Sequence, residues 1–410
     1  WKKGDINISN CTFDDSNLTF GDANTISVKS CKISNVTTPF TFIGSVDKIE
    51  IENVETENVT SYFLSLYGSY GTYGEVYLSH VKTNNPIYIN NNCDSISIVG
   101  CSFVTDMSFT CINVTVHGLN VENTKILGFT SAIGALSRIE NLYLKNDTLV
   151  SNGEGAVVNA TTIRNVFAYD SKICNGTEGF MLGGNGQVRI ENCLISGNTK
   201  YGIDVINGSS LVLKNNILGL NEDMSDSYPN GVGINVSSQS SSLVVEGNII
   251  SGNKGDGLAF MFGSTPYKYT ITNNYIGTNK KFQDFGNGGN GITNSTRTGL
   301  FINPSSYKEA NFIGYNKGSG IFTGTYDSEI SHNYIGVSPE GNPMPNGNYG
   351  IYAQQGQTGN FRVINNHLGF NKEGDIFESL STYISKNWFH GNEKNAIEID
   401  PHFIRYYPGP

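Results

Sequence analysis

The chain repeats a short motif from about residue 188 onward, and this repetition limits its fold more than any other feature. Successive units read VRIENCLISGN, LVLKNNILGLN, LVVEGNIISGN and YTITNNYIGTN, each followed by a Gly-Ile pair or a close variant. The units are about 22 or about 32 residues long, a period typical of solenoids. Such a chain buries its apolar residues by stacking one unit on the next.

Within each unit, apolar and polar residues alternate over three to five positions. Alternation at period 2 indicates short strands, whereas a helical solenoid needs apolar residues at period 3.6. The first half repeats more faintly, as INISNCTF, ISVKSCKI and IEIENVET. We therefore predict about seventeen turns, which at about 4.8 Å per strand would form a rod about 80 Å long.

Short strands, Asn- and Gly-rich corners and one turn per repeat resemble the right-handed parallel β-helix family. The segments ISGNKGDGL, NYIGTN and NYIGVSPEGN resemble the Asn-Gly-Ile repeats of its secreted and cell-surface members. The resemblance implies an all-β, single-stranded right-handed parallel β-helix of about 17 coils. It is clear for residues 188–403 and weaker elsewhere, and it says little about activity because one architecture carries many functions.

The predicted organisation follows the quality of the repeats. Residues 1–187 form divergent, Cys-containing coils, and residues 188–403 form regular coils continuous with them. Residues 404–410 form a C-terminal tail or cap, because Pro cannot continue a hydrogen-bonded ladder. Because the chain begins at Trp1, we expect a mature or trimmed product, with Trp1, Lys2 and Lys3 capping the other end.

One aligned column of residues is expected to turn inward at a corner of every coil. Stacked Asn amides can donate and accept along the stack, and Asn tolerates the positive φ of a sharp corner. The column holds Cys11, Cys31, Val54, Val81, Cys101 and Cys193, then Asn216, Asn248, Asn274, Asn311, Asn333, Asn366 and Asn387. A second corner column holds Asn198, Asn221, Asn253, Asn279, Asn316, Asn371 and Asn392.

The cysteines are confined to the first half of the chain. All seven lie within residues 1–193. Cys11 and Cys31 share a column one turn apart, and a Cα separation of about 4.8 Å suits a disulfide. We predict this bridge, with two packed free thiols as the alternative. The pairing of the other five cannot be read from the sequence.

Asn-X-Ser/Thr sequons are concentrated before residue 295. They occur at Asn7, Asn10, Asn17, Asn35, Asn58, Asn113, Asn146, Asn159, Asn175, Asn207, Asn235 and Asn294. Such triplets are N-glycosylation acceptors in secreted proteins. We predict that the amino-terminal two-thirds carries glycans and that the last turns stay bare for contact.

The residue after each Gly-Ile pair is expected to point outward. This row comprises Asp204, Asn235, Ala259, Thr293, Phe322, Tyr352, Phe377 and Glu398. Its three adjacent aromatics, Phe322, Tyr352 and Phe377, predict a ladder about 10 to 15 Å long that binds sugar faces or a partner protein. The alternative is that some of them belong to the core or lie under the long loops.

The sequence contains no clear catalytic or metal motif. A β-helix polysaccharide enzyme needs carboxylates clustered on one face, whereas Asp204, Asp256, Asp375, Glu398 and Asp400 are scattered over many turns. The histidines show no metal-ligand spacing and are interpreted as surface or corner residues. The acidic loop 221–226 is a weak calcium candidate. The catalytic residues, if there are any, therefore remain unknown from the sequence, and we predict no cofactor.

Net charge and hydropathy exclude two classes of partner. A charge of -10 and a pI near 5.1 argue against nucleic acid as a partner. The chain also contains no run of 18 apolar residues, which a helix would need to span a bilayer. We predict an extracellular, glycosylated protein with a structural or adhesive role, whose partners are glycans or surface proteins and whose open ends allow self-assembly. The alternative is a polysaccharide-binding protein or a polysaccharide lyase, hydrolase or epimerase.

Overall fold

The fold is a series of coils, each made of three short strands. In this computed structural model the described residues are 3–66, 72–106, 108–184, 186–207, 210–237, 242–261, 269–296, 299–324, 327–354, 360–378 and 382–399. Named strands pair in parallel with their equivalents one coil away. The chain divides into two units, residues 1–193 and 194–410. Of the predicted caps, Trp1, Lys2 and residues 404–410 lie outside the described residues. The Nζ atom of Lys3 lies 3.3 Å from Oδ1 of Asp47.

The first unit has eight second-face strands among its described residues. We number the faces in the order in which the chain meets them, with the first corner between the first two faces. The second face contains Thr12–Asp14, Lys32–Ser34, Glu55–Glu57, Lys82–Thr83, Ser102–Val104, Lys125–Phe129, Thr148–Ser151 and Lys172–Cys174. The first face contains Ile6–Ser9, Ala23–Lys29, Val46–Glu52, Tyr73–Ser79, Ile163–Tyr169 and Gln187–Glu191. The third face contains Leu18–Phe20, Phe40–Phe42, Leu64–Leu66, Val158–Ala160 and Glu178–Gly183, and in three coils it runs on into the first face, as Ile87–Val99, Thr110–Glu122 and Ser131–Lys145.

The second unit also has eight second-face strands among its described residues. These are Leu194–Ser196, Ile217–Leu218, Ile249–Ile250, Tyr275–Ile276, Phe312–Ile313, Tyr334–Ile335, His367–Gly369 and Trp388–His390. The third face contains Tyr201–Asn207, Val232–Val236, Leu258–Phe260, Ile292–Asn294, Ile321–Gly324, Tyr349–Gln354, Gly374–Glu378 and Ile397–Ile399. The first face contains Ser210–Lys214, Ser242–Glu246, Tyr269–Thr272, Phe301–Ile302, Ser328–Ser331, Phe361–Ile364 and Thr382–Ser385, and one 3-10 turn spans Tyr307–Glu309.

These observations confirm the predicted right-handed parallel β-helix, with about 16 turns. The core forms because alternate residues of each strand face inward and meet their equivalents in the next coil. One such row is Ile26, Ile49, Val76, Ile96, Leu119, Leu142 and Val166, all at most 1% exposed. Among the described residues, no helix has the length and hydropathy of a membrane span.

The first Asn column of the second unit forms a continuous hydrogen-bonded ladder. The Oδ1 atom of Asn248 accepts from the backbone N of Asn216 at 2.9 Å and from its Nδ2 at 3.0 Å. Its own Nδ2 donates to the carbonyl of Leu213 at 2.9 Å and to Oδ1 of Asn274 at 3.1 Å. Because each amide satisfies its neighbours, the polar side chains can be fully buried. Side-chain bonds connect Asn216, Asn248, Asn274, Asn311, Asn333, Asn366 and Asn387 in this order.

At six of the seven ladder positions, the positive φ belongs to the residue before the ladder Asn, which corrects the prediction. Asn215, Asn273 and Asn365 have φ values of 54°, 59° and 54°, and Gly247 has 69°. A left-handed residue there turns the backbone so that the next side chain enters the core. Asn or Gly precedes four of the seven ladder positions because both tolerate this conformation. His332 and Lys386 adopt it before Asn333 and Asn387.

The second ladder differs from the predicted column. Asn221 and Asn279 lie in long loops, and Asn230, Asn287 and Asn346 occupy the ladder in their place, because the extra residues of the longer repeats precede the corner. Hydrogen bonds between side chains connect, in this order, Asn198, Asn230, Asn253, Asn287, Asn316, Asn346, Asn371 and Asp375. Each ladder amide donates one N–H to the next Asn along the chain. The series ends on a carboxylate acceptor, because Asn371 and the predicted column member Asn392 both donate to Asp375.

In the first unit, mixed side chains fill the first corner column. Among the described cysteines all are free thiols, so the predicted disulfide between Cys11 and Cys31 is not formed. Each thiol instead donates to a carbonyl two residues earlier, at 3.2 Å from Cys11 to Ser9 and 3.3 Å from Cys31 to Lys29. The local corner therefore satisfies both sulfur atoms without a covalent bond.

Candidate functional site

The predicted aromatic row forms on the third face of the second unit. Phe322 pairs with Tyr352 and Tyr352 with Phe377 in the strand register. The ring centroids are 5.5 Å and 4.7 Å apart, and the ring planes are within 6° of parallel. We call these three residues the short row. All three are half-buried.

The stacking changes what the short row can bind. Nearly parallel rings about 5 Å apart in consecutive coils cover each other's faces, so the row exposes mainly ring edges and the Tyr352 hydroxyl. The expectation that sugars stack on these ring faces does not fit this arrangement. Aromatic edges carry partial positive charge, so the row favours contacts with oxygen atoms.

A tyrosine–carboxylate pair lies beside the short row. The hydroxyl of Tyr349 donates to Oε2 of Glu398 at 2.7 Å, and its ring lies 5.3 Å from Phe377 and 5.6 Å from Tyr352. Burial, followed by the hydrogen bond and charge of Glu398, raises the pKa of Tyr349 above its usual value. The phenol therefore stays protonated at neutral pH and holds Glu398 against the row.

The earlier members of this outward row are buried. Asp204, Asn235, Ala259 and Thr293 are 3% to 7% exposed. The Nδ2 atom of Asn235 donates to Oδ1 of Asp204 at 2.8 Å. The predicted glycosylation of Asn235 does not fit, because this amide is buried and already hydrogen-bonded.

The other sequons differ in accessibility. Asn7, Asn10, Asn17, Asn35, Asn58 and Asn146 are exposed, whereas Asn113, Asn159 and Asn175 are half-buried and Asn294 is buried. The side chain of Asn207 lies outside the described part of the structure. Four of the exposed residues, Asn10, Asn35, Asn58 and Asn146, have positive φ and lie at coil corners.

A longer aromatic row occupies the second face of the same unit. We call it the long row: Tyr275, Phe312, Tyr334, His367 and Trp388. Successive ring centroids are 5.0, 5.5, 4.7 and 4.8 Å apart, with planes 7° to 27° from parallel. The sequence analysis did not identify this row. It could have been recognised, because a residue with an aromatic ring directly follows the first-ladder Asn in five consecutive coils.

Two further aromatic side chains flank the long row. The ring of Tyr307, on the 3-10 turn before the first corner, contacts Tyr334, His367 and Trp388 with centroid separations of 5.1 to 6.2 Å. Phe282, in the long loop between the second-face strand Tyr275–Ile276 and the second-ladder residue Asn287, packs edge-on at 5.2 Å from Phe312. The two flanking residues come from opposite ends of the second-face strands, so they bound the row on both sides.

Two histidines at the long row are not ordinary corner residues, which corrects the sequence interpretation. The Nδ1 atom of His367 lies 3.1 Å from Nε2 of His390. Burial and the neighbouring His390 lower the pKa of His367. A third histidine, His332, packs against Tyr307 with a ring separation of 5.3 Å.

Among the described residues, the scattered carboxylates have separate hydrogen-bond partners: Asn235 donates to Asp204, and Tyr349 donates to Glu398. Asp256 accepts from the backbone of Asn290 at 2.7 Å. Asp375 is completely buried, and Asn371 donates to it at 2.8 Å. Asp400 lies outside the described residues.

The proposed calcium loop is closed by its own hydrogen bonds. Oδ1 of Asp223 accepts from the backbone N of Ser225 at 3.1 Å and from its hydroxyl at 2.6 Å, and Oδ1 of Asn221 accepts from the backbone of Ser225 and Asp226. These contacts lower the pKa of Asp223. In the described part of the chain, no three His, Cys, Asp or Glu residues are grouped as metal ligands.

Solved β-helix structures offer distant similarities. A PL6 alginate lyase in complex with a trisaccharide has 10% sequence identity and a TM-score of 0.34, covering 97% of this chain and 83% of that chain. The alginate lyase AlyF-OU02 has 10% identity and a TM-score of 0.33, covering 91% and 81%. The A-module of a mannuronan C-5 epimerase from Azotobacter vinelandii has 9% identity and a TM-score of 0.19, covering 92% and 91%. Similarity at this level does not transfer an activity.

Family membership rests on the sequence itself. No curated protein matches the chain. The family profile described as "Right handed beta helix region" matches residues 106–276 and 157–333, more than half of the chain. Together with the parallel coils, this match shows that the chain belongs to the right-handed β-helix family.

Proposed function

We propose that this protein binds an extended polysaccharide along the long row, as part of an adhesive role outside the cell. The observation that carries the proposal is the long row itself, in which five consecutive coils each place one ring at the same outward position. A repeating surface of this kind fits a repeating ligand better than a compact one.

The chemistry of the ring edges supports a glycan. Stacked rings present their electropositive edges outward. Four of the five rings also carry a polar group at the edge: the hydroxyls of Tyr275 and Tyr334, the imidazole of His367 and the indole N–H of Trp388. Such a strip can donate hydrogen bonds to the hydroxyl and ring oxygens of sugars, which a purely apolar ladder could not do.

The charge of the protein favours a neutral polysaccharide over a polyanion. The net charge is -10, and on the first face Arg362 is already paired with Glu329 at 3.7 Å. A polyanionic chain would be repelled at low ionic strength. We therefore expect weaker binding of acidic than of neutral glycans of equal length.

The test compares two tyrosines that differ mainly in their row. Tyr334→Phe keeps the ring and removes one hydroxyl from the long row, and Tyr352→Phe does the same in the short row. Loss of one hydrogen bond of about 0.5–1.5 kcal/mol should weaken binding by roughly 2- to 12-fold. We expect this loss for Tyr334→Phe only, measured by glycan array and then by calorimetry with the best neutral oligosaccharide.

Three results would count against the proposal. Binding of no glycan by the unaltered protein would leave the long row a structural feature. If both variants bind the glycan with the same affinity as the unaltered protein, the long row is not part of the binding surface. Release of shorter oligosaccharides during incubation would replace binding with the polysaccharide-degrading alternative.

An extracellular location is a separate part of the proposal. At the exposed sequons Asn35, Asn58 and Asn146, each Nδ2 atom already donates a hydrogen bond. Asn7, Asn10 and Asn17 are exposed as well, and we expect glycans at these three residues first. Mass spectrometry of the protein from its natural source should find glycans at these positions. Unmodified asparagine at every exposed sequon would contradict the predicted glycan coat.

A further inference from the structure

We propose that His367 and His390 form a binding site for one divalent transition-metal ion, which Cu²⁺ would occupy most tightly. The site lies at the last described coils of the long row, but the proposal does not depend on glycan binding. It rests on the position of the two imidazoles, on their separation and on the close fit of the backbone around them.

The backbone brings the two side chains together from consecutive coils. In the strand register His367 pairs with Trp388 and Gly369 pairs with His390. A Cβ on Gly369 would lie 2.5 Å from the Cβ of His390, a distance that real Cβ atoms do not tolerate. The absence of a side chain at position 369 is therefore what allows His390 to pack here and reach His367.

The separation of the imidazoles suits two ligands of one ion. Nδ1 of His367 and Nε2 of His390 are 3.1 Å apart. The ring centroids are 5.4 Å apart with planes 22° from parallel, so the two nitrogens lie on facing ring edges. Two nitrogens bound at roughly 2.0–2.1 Å, at angles between tetrahedral and square-planar, are about 2.8–3.4 Å apart. Rotation of the rings would direct both lone pairs to one ion.

The donor set selects the class of ion. Imidazole suits copper, nickel and zinc, and the Irving–Williams order places Cu²⁺ above Ni²⁺ and Zn²⁺. Hard ions such as Ca²⁺ and Mg²⁺ prefer oxygen ligands. Two imidazoles leave positions open for water, so the bound ion would be exchangeable.

Trp388 provides a reporter next to the site. Its ring lies 4.8 Å from His367, and the chain has 2 tryptophans. In a Trp1→Phe background the emission comes from Trp388 alone. Titration with copper chloride should quench this emission saturably at one equivalent, because paramagnetic Cu²⁺ would lie beside the indole. Electron paramagnetic resonance should show nitrogen ligation of the same ion.

Substitutions separate this site from surface binding. In the same background, His390→Gln should raise the midpoint copper concentration roughly tenfold or more because one ligand is lost. His117→Gln is the matched control, since His117 is an exposed histidine of the first unit. Gly369→Ala should also weaken binding while both histidines remain, with circular dichroism checking that it folds.

The outcome that overturns the proposal is equally direct. If quenching is absent, does not saturate, or has the same midpoint in His390→Gln as in the Trp1→Phe protein, the pair does not bind metal. None of these copper titrations involves a glycan, so failure of the metal site is distinguishable from failure of the proposed function.

Discussion

The Asn ladders can be tested most directly at Asn346, which is completely buried in the second ladder. Its Oδ1 atom accepts from the backbone N of Asn316 at 3.2 Å and from its Nδ2 at 3.0 Å. Its Nδ2 donates to Oδ1 of Asn371 at 2.8 Å and to the carbonyl of Ile313 at 3.4 Å. Asn346→Ala removes these four contacts without changing the backbone.

The expected cost follows from what is left unpaired. The backbone N–H of Asn316 would lose its acceptor inside the core, at about 1–3 kcal/mol. The two shorter side-chain bonds, to Asn316 and Asn371, would each cost about 0.5–1.5 kcal/mol. The carbonyl contact at 3.4 Å is long and adds little. We therefore expect Asn346→Ala to lower the free energy of unfolding of the second unit by about 2–6 kcal/mol.

The assay is urea unfolding followed by Trp388 fluorescence in a Trp1→Phe background, so that the signal reports on the second unit. Asn348→Ala is the control, because Asn348 is exposed in the same coil two residues away. An exposed substitution of this kind should change stability by no more than about 0.5 kcal/mol. The slope of free energy against urea should be equal in both variants if the unfolded states are alike.

A small difference would refute the reasoning. If Asn346→Ala and Asn348→Ala unfold within about 0.5 kcal/mol of each other, the ladder does not contribute to stability as argued. A water molecule replacing the lost amide would then satisfy Asn316, and the ladder would matter for the register of the coils instead.

Three further predictions concern single groups. Burial raises the pKa of Asp375 to about 6 from an ordinary value of 3.8, so the folded protein retains a proton that the unfolded chain releases. Thermal melts should therefore show a contribution to stability that is complete below about pH 4 and lost as the pH rises through about 6, and Asp375→Asn should abolish that slope. Burial raises the pKa of Cys93 and Cys193 to about 12, so a maleimide at pH 7 should label half-exposed Cys11 first, as mass spectrometry would show. Gly277→Ala should lower the melting temperature measurably, because Gly277 has a φ of 81° and a Cβ there would lie 2.0 Å from a backbone oxygen. Gly4→Ala is the control and should not change the melting temperature, because a Cβ at Gly4 would meet open space.

Local sequence patterns predicted the corners correctly in one column and incorrectly in another. The first ladder could be read directly, because at six of its seven positions one residue separates the Asn from the preceding strand and the next strand begins directly after it. The second ladder could not, since the loops before Asn230, Asn287 and Asn346 differ in length from those of the shorter coils. Only hydrogen bonding across coils shows which Asn of a loop enters the core.

The two aromatic rows and the histidine pair likewise combine features that the sequence predicts with features that it does not. The short row was predicted from Gly-Ile spacing, but its ring orientation was not, because stacking depends on the twist between coils. The pair His367 and His390 are 23 residues apart and occupy different positions in their repeats. Nothing in their spacing indicates that one ring reaches back toward the other.

The sequence alone determined the architecture, because period-2 alternation with a repeating corner permits only stacked short strands. It also placed the first Asn ladder and the alignment of the short row, since equivalent residues of successive coils must lie above one another. Tertiary structure decided the remaining features: free thiols at Cys11 and Cys31, the second ladder ending at Asp375, and the edge-on long row. These depend on side-chain rotation and on loops of unequal length, which the repeat pattern does not specify.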